Sequence, residues 1–194
     1  MEITSAQLKQ LRDTTGISVM QCKKALEEAG GDMDKAIIIL KKKCSDAADK
    51  KSDREIGAGA VGSYIHNTNE IAALVLVGCE TDFVSKNPEF VALAKDIAMQ
   101  VAATNPGYIS RAEVPEEGIQ KAKELFSAEI GDKPEEMKAK ILEGKLSSYF
   151  QDQILMEQPF IKNSDTTIGE MVNGAIQKFG ENVQVVKFSR ISVK

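Results

Sequence analysis

Residues 71–107, IAALVLVGCETDFVSKNPEFVALAKDIAMQVAATNPG, decide the predicted fold of the larger part of this chain. Ile71 to Cys79 are apolar at successive positions, which predicts a β-strand covered on both faces. Asn87 and Pro88 give the cap and first-turn signals of a helix, and apolar residues then follow at the spacing of one helix face until Asn105-Pro106-Gly107. We therefore expect a strand followed by a helix that packs on its sheet.

The connection between these two elements contains an unusual pair, Asp82-Phe83. Phe83 precedes the helix and falls outside its apolar stripe, in a segment that should lie at the surface. From its position in the chain, Phe83 has two possible roles. Its side chain folds back under the helix as a core residue, or it is presented to a binding partner.

Two further extended runs complete a predicted antiparallel sheet. Ala60 to His66 precedes the strand at Ile71 and is joined to it by Asn67-Thr68-Asn69-Glu70, which is typical of a hairpin turn. The chain finishes in a β-rich run from Asn182 to Val193. The predicted class is α+β, an N-terminal three-helix bundle followed by an α/β core domain with a small antiparallel sheet covered by helices.

Helix signals also fill the second half of the chain. A helix from Pro134 is expected to reach about Glu157, with Gly144 as a bend or break. Thr167 to Glu170 fits a capping box, and the apolar stripe that follows it closes at Gly180. These helices belong to the predicted core and dimerisation domain, residues 57–194.

Residues 1–44 predict a small bundle of three short helices. Thr4 to Gln7 fits a capping box, Ser18 to Gln21 repeats the signature, and Gly16 is a typical helix terminator. Asp32 can cap the third helix. Residues 45–56 then form a charged linker or helix between this module and the core domain.

Composition and charge exclude several classes of protein. The chain has 42% hydrophobic residues and a net charge of −4, which argues against a general nucleic-acid coat, so we expect no direct nucleic-acid partner. The longest apolar run, Ile71 to Val77, is much shorter than a membrane span. Cys22, Cys44 and Cys79 lack metal-ligand spacing and are expected to be buried and reduced. Because the start of the sequence has no secretory signal, we expect a cytoplasmic protein.

The sequence contains no recognisable set of catalytic residues. GAGAVG at residues 57–62 matches a phosphate-binding string, but that string needs a strand before it and a helix after it. Here a charged segment precedes it and a strand follows, so we interpret these glycines as a flexible start to the strand. His66, the single histidine, has no nucleophile or metal-ligand partner at a known spacing. The sequence thus favours a binding protein without cofactor or metal over an enzyme.

One candidate binding surface lies on the first two helices. Met20 falls outside the apolar stripe of the second helix and on the side that carries Lys23. Lys9 and Arg12 of the first helix are expected nearby. An isolated exposed methionine is common, but Met20 together with these basic side chains predicts a mixed basic and apolar docking surface.

Three motifs in order along the chain resemble those of the elongation factor Ts family. Residues 11–26, LRDTTGISVMQCKKAL, are similar to the family's opening signature, with Val19 where the family often has methionine. Thr81-Asp82-Phe83-Val84 resembles a second signature, and Gln158 to Lys162 resembles a third. Gly180 to Val183 fits the family's run into its last strand, while residues 105–155 carry no motif of the family.

The resemblance implies a fold and a function. In this family the N-terminal bundle is similar to ubiquitin-associated domains and docks on elongation factor Tu, the GTPase that carries aminoacyl-tRNA. The chain would bind the GDP form of that partner and promote release of GDP. The residues that would form the docking surface are Lys9, Arg12, Val19, Met20 and Lys23.

The resemblance also implies an exchange wedge formed by Thr81, Asp82, Phe83 and Val84. Phe83 would insert between helices of the partner, and Asp82 would help disturb its magnesium and phosphate surroundings. Longer members of the family contain two related core halves, and this chain has room for one. It is therefore expected to form a homodimer that binds two GTPases in a 2:2 complex.

Two other functions stay open. The N-terminal module alone could serve as an adaptor that binds a ubiquitin-like protein, although this leaves the core domain and the Asp82-Phe83 pair unexplained. A nucleotide-using enzyme built on GAGAVG is the second alternative, and detectable binding of ATP or NAD would favour it.

Overall fold

The computed structural model describes residues 3–130 and 135–193, and there the chain forms a helical bundle followed by a mixed core. The predicted α+β class is confirmed, because a three-stranded antiparallel sheet is covered by helices. Pro134, the predicted start of a helix, lies outside the described residues. No helix within the two described ranges combines the length and the apolar character needed to cross a membrane.

The bundle consists of α1 (Ser5–Thr15), α2 (Val19–Glu28) and α3 (Met33–Asp49). The predicted caps are present. Thr4 forms a capping box with Gln7, and the Asp32 carboxylate accepts a hydrogen bond from the backbone N–H of Lys35 at 3.1 Å. Gly16 ends α1 in the left-handed region at φ 67°. The core of the bundle contains Leu11, Ile17, Cys22, Ala25, Leu26, Ala36, Leu40 and Cys44.

Helix α3 continues to Asp49, beyond the module boundary predicted at residue 44. Cys44 is buried in the bundle, and Ala48, one turn further on, packs against the core of the second part of the chain. The segment predicted as a charged linker or helix therefore begins as helix, and its apolar positions connect two hydrophobic cores.

The sheet is formed by β1 (Ala58–Ile65), β2 (Ile71–Cys79) and β5 (Val183–Ser192), in the order β1-β2-β5 with antiparallel neighbours. Strand β2 has the predicted bounds, while β1 and β5 differ from theirs by one or two residues at the ends. Asn69 adopts φ 59° in the hairpin turn between β1 and β2, a conformation that asparagine tolerates better than most residues.

Helix α5 (Pro88–Thr104) covers one face of the sheet, as predicted. The Asn87 side chain accepts from the backbone N–H of Glu89 at 2.9 Å, and Asn105 ends the helix in the left-handed region. A Cβ on Gly62 of β1 would lie 2.0 Å from the carbonyl oxygen of Ala94 in α5. A flexible start to the strand does not account for Gly62, which is needed for the close approach of helix and sheet.

The second half of the chain departs most from the sequence-based expectations. Helices α6 (Glu116–Ile130) and α7 (Glu135–Gln153) pack on each other, and α7 runs through Gly144 without interruption, so a break of the helix at that residue is wrong. Helix α7 ends at Gln153 instead of near Glu157. Beyond the helix, the backbone N–H of Leu155 donates a hydrogen bond to the carbonyl of Tyr108 at 2.9 Å.

A short hairpin that the sequence did not predict follows, made of β3 (Pro159–Phe160) and β4 (Asn163–Thr167). The last helix, α8 (Ile168–Phe179), has the predicted capping box between Thr167 and Glu170, and Gly180 terminates it at φ 75°. Helix α8 also contacts α3. The ammonium of Lys41 lies 2.8 Å from the Glu170 carboxylate and joins the bundle to the core.

Candidate functional site

The connection that carries Asp82 and Phe83 folds as one helical turn, α4 (Asp82–Ser85), between β2 and α5. The sequence predicts a surface connection between the strand and the helix here. Thr81 adopts an extended conformation and caps the turn, with its hydroxyl oxygen 3.5 Å from the backbone N–H of Val84. The candidate site is therefore a capped turn held by structured elements on both sides.

Consecutive residues of this turn point in opposite directions. The Phe83 side chain is 82% exposed, whereas Val84 is 4% exposed and belongs to the main core. The exposure of Phe83 therefore excludes a core role for its side chain, and its contact with a partner stays a prediction. Val84, which the resemblance includes in the exchange wedge, anchors the turn from the core side, and Asp82 and Phe83 are the side chains presented to solvent.

Asp82 is paired in this structure. Its carboxylate lies 2.7 Å from the ammonium of Lys86, one turn further along the chain. The hydrogen bond from Lys86 and its positive charge hold the pKa of Asp82 below its usual value, so the carboxylate is ionised at neutral pH. The turn thus presents an aromatic ring beside a negative charge.

The amino-terminal end of the turn is fixed by a residue distant in sequence. The Glu181 carboxylate accepts hydrogen bonds from the backbone N–H groups of Glu80 and Thr81 at 3.1 and 3.0 Å, and from the Thr81 hydroxyl at 2.5 Å. Cys79 adds a bond from its thiol to the Thr81 carbonyl at 3.2 Å. Burial, and secondarily the charge of Glu181, raise the pKa of the Cys79 thiol, so it remains a protonated donor.

The five predicted docking residues all lie at the surface of the bundle. Val19 and Met20 are 45% and 68% exposed at the start of α2, and Lys9, Arg12 and Lys23 are exposed as well. Lys23 lies 3.9 Å from Glu27 of the same helix. The bundle core contains Cys22 of α2 and leaves Val19 outside.

A cleft of about 590 Å³ lies between the bundle and the core, lined by α3 and α8 among other segments. None of the residues predicted for the docking surface or the exchange wedge lines it. Within residues 3–130 and 135–193, no group of three or more His, Cys, Asp or Glu side chains is arranged to hold a metal ion. Cys22, Cys44 and Cys79 are all buried, as predicted.

The sheet has a second face that the described part of the chain leaves open. Strand β2 alternates between the buried residues Val75 and Val77 and the exposed residues Leu74 and Leu76, so the prediction that both faces are covered is wrong for the single chain. We call the exposed apolar residues on this side the open sheet face. They are Val61, Ile65, Leu74, Leu76, Val186 and Ile191, between 36% and 72% exposed.

The third motif, Gln158 to Lys162, is tied to helix α5 by hydrogen bonds. The buried Gln100 amide donates to the Gln158 side chain at 3.0 Å and to the Pro159 carbonyl at 3.2 Å, and it accepts from the backbone N–H of Ile161 at 2.9 Å. This motif therefore fixes the β3–β4 hairpin on the core, whereas the second motif presents side chains to solvent.

Sequence reasoning missed Glu181 and the open sheet face. Glu181 lies in the family's run into its last strand, but it acts on a turn 100 residues away in the chain, and no local pattern predicts that contact. The open sheet face could have been found from the pairing of β1 with β2, because Val61 pairs with Leu76 and both are large apolar residues.

Comparison with known proteins supports the resemblance drawn from the motifs. A family model described as "Elongation factor TS" matches residues 48–194. Elongation factor Ts of Thermodesulfovibrio yellowstonii is 47% identical over 194 residues, covering 100% of this chain and 97% of the relative. Elongation factor Ts of Thermotoga petrophila is 45% identical over 193 residues with the same coverage, and that of Geobacter sulfurreducens is 46% identical over 98% of this chain and 89% of the relative.

Proposed function

The chain belongs to the elongation factor Ts family and is a translation elongation factor, and we propose that it is the guanine nucleotide exchange factor for elongation factor Tu. It binds the GDP form of that GTPase and promotes release of GDP, without an active site of its own. The observation that carries this proposal is the 82% exposed Phe83 beside an ionised Asp82 on a capped turn.

Such a surface fits a wedge better than a ligand site. The backbone of the turn is already fixed and a phenylalanine side chain has only two rotatable bonds, so burial of the ring in a partner costs little additional entropy. Asp82 brings a negative charge to the place where the partner holds magnesium and phosphates. It would weaken the binding of magnesium by competing for the ion, and the binding of the phosphates by charge repulsion. To do so, Asp82 must break its ion pair with Lys86, and breaking this pair costs little free energy because both side chains are exposed.

The free energies require a second contact. Exchange depends on coupling, so the factor and GDP must weaken each other's binding by the same amount. A thousandfold weakening of GDP needs about 4 kcal/mol, and burial of one phenylalanine supplies about 1.5–3 kcal/mol. We propose that the docking surface on α1 and α2 supplies the remainder, with Val19 and Met20 as apolar contacts and Lys9, Arg12 and Lys23 as basic ones.

We further propose that the chain forms a homodimer and binds its partner in a 2:2 complex. The open sheet face supports this, because six exposed apolar side chains on one face of a sheet favour association with another apolar surface. A second copy of the chain would cover this face and satisfy the apolar character of β2 on both sides.

The experiment that tests the proposed function is stopped-flow release of a fluorescent GDP analogue from elongation factor Tu. We expect the wild-type chain to accelerate release and Phe83→Ala to lose about 10- to 150-fold of that acceleration, since the wedge contributes about 1.5–3 kcal/mol. Leu125→Ala is the matched control, because Leu125 is an exposed apolar residue, at 59%, on α6. Equal rates for Phe83→Ala and wild type would refute the wedge, and no acceleration by wild type would refute the exchange function.

A further inference from the structure

Glu181 accepts three hydrogen bonds at the start of the exchange wedge, although it lies about 100 residues away in the chain. One oxygen of its carboxylate accepts from the backbone N–H groups of Glu80 and Thr81, and the other accepts from the Thr81 hydroxyl. Thr81 is the cap of α4, and its own hydroxyl oxygen accepts from Val84. A half-buried carboxylate therefore holds the residue that sets where the turn begins.

Glu181 is itself held in place by its surroundings. It follows Gly180, whose left-handed conformation ends α8, and precedes Asn182, which is 1% exposed. The Asn182 side chain donates to the carbonyls of Ser52 and Arg54 at 3.3 and 2.8 Å, and its backbone N–H donates to the Glu80 carboxylate at 2.6 Å. Glu181 is thus fixed on a rigid support that also holds the segment after α3.

The consequence for Phe83 is geometric. The Phe83 side chain is 82% exposed, so its direction depends mainly on the backbone of the turn. Val84 anchors the turn from the core side, and Glu181 anchors it at the amino-terminal end. Without Glu181, the N–H groups of Glu80 and Thr81 lose their acceptor and the start of α4 is free to rotate.

We propose that Glu181 is the positioning residue of the exchange wedge: its carboxylate fixes the cap of α4 and thereby the direction in which Asp82 and Phe83 meet the GTPase. This inference rests on the proposed exchange function. Glu181 acts through Thr81 and touches neither nucleotide nor magnesium. Its loss lowers the maximal rate of GDP release, and the concentration of factor that gives half-maximal release changes little because the docking surface is intact.

A matched pair of substitutions separates this role from charge and from general stability. Glu181→Gln retains an oxygen that accepts from both backbone N–H groups and gains an amide that donates to the Thr81 hydroxyl. Glu181→Ala removes all three bonds. We expect Glu181→Gln to release GDP within about twofold of wild type at saturating factor, and Glu181→Ala to be slower by about tenfold.

A double-mutant cycle with Phe83 tests whether Glu181 acts through the wedge. We expect Glu181→Ala to have no further effect in the Phe83→Ala background, within about twofold, because a wedge that is absent cannot be misdirected. If the Glu181→Ala protein does not fold, Thr81→Val and Thr81→Ser form an equivalent pair. Valine removes the hydroxyl from the cap and from Glu181, whereas serine keeps it.

Hydrogen exchange of the amides in residues 80–85 provides a readout independent of the GTPase. We expect faster exchange in Glu181→Ala and unchanged exchange in Glu181→Gln. A wild-type maximal rate for Glu181→Ala, or an equal loss with and without Phe83, would overturn the positioning role while the exchange function stands. A wild-type chain that does not accelerate GDP release would instead overturn the exchange function, and the positioning role with it.

Discussion

Phe83 and Val84 are neighbours in the chain, yet the first is 82% exposed and the second is 4% exposed. The single turn of α4 places them on opposite sides, so one presents a ring to solvent and the other packs in the core. Substitutions at these two positions should therefore separate stability from function.

We expect Val84→Ala to lower the free energy of unfolding by about 2 kcal/mol, since it removes buried methyl groups and leaves a cavity. Phe83→Ala should change it by less than about 0.5 kcal/mol, as is usual for exposed positions. Urea unfolding followed by far-ultraviolet circular dichroism measures both. A large loss of stability in Phe83→Ala would mean that the ring packs on the protein in solution, contrary to its exposure here.

The local signals around this turn explain how much of it the sequence could predict. Asn87, Pro88 and the apolar stripe of α5 lie within one helix, and those predictions are confirmed. The same holds for Thr167 and Gly180 at the two ends of α8. Each of these features depends on backbone groups only a few residues away, which is where sequence patterns are most informative.

Features that depend on distant contacts were not predicted. Glu181 reaches Thr81 across the fold, and the end of α7 is set by backbone bonds to Tyr108. At Gly144 the sequence pattern instead predicted too much. A single glycine in a helix that tertiary packing supports costs only about 1 kcal/mol and does not break the helix. Sequence patterns identify the long helices and the strands of the main sheet, while tertiary contacts decide the ends of these elements, the β3–β4 hairpin and the geometry of the wedge.

Two glycines should respond in opposite ways to alanine. We expect Gly62→Ala to lower the free energy of unfolding by about 3 kcal/mol, because its Cβ would lie 2.0 Å from the Ala94 carbonyl oxygen and would push α5 off the sheet. Gly144→Ala has open space around the added Cβ and should raise stability by about 0.5–1 kcal/mol, as expected for a helix interior. Urea unfolding of the two variants checks both signs, and a neutral Gly62→Ala would contradict the close contact.

The ion pair between Lys41 and Glu170 should make part of the stability depend on pH. Burial opposes ionisation of Glu170, but hydrogen bonds from Lys41 and from the backbone of Thr167 outweigh it and leave the pKa below its usual value. Because the folded pKa is lowered, the ionised group stabilises the fold above the unfolded pKa of about 4.3, and this contribution is lost as pH falls through the folded value.

We therefore expect Glu170→Gln to be less stable than wild type by about 0.5–1 kcal/mol near pH 7, since the pair is partly exposed, and to approach wild type as the solution becomes acidic. Urea unfolding across this pH range gives the difference. Glu117→Gln is a control, because Glu117 pairs with Lys121 of its own helix at 2.6 Å and joins no separate elements. A difference at Glu170 that persists in acid would contradict the ion-pair origin.

The open sheet face leads to the last prediction, which concerns the proposed homodimer. Leu74 is 52% exposed on the central strand β2, so a twofold interface over this face would bury it in both copies. We expect wild type to sediment as a dimer at about 10 µM and Leu74→Glu to sediment as a monomer, because two buried carboxylates replace two apolar side chains that each contribute about 1.5–3 kcal/mol.

Leu125→Glu makes the same change at an exposed leucine of α6 and should leave the dimer intact. A dimer that survives Leu74→Glu would place the interface elsewhere, and a monomeric wild type would refute the 2:2 complex. Because Leu74 points away from the core that Val75 and Val77 form, loss of the dimer in Leu74→Glu should occur without loss of the fold, and circular dichroism checks this in the same samples.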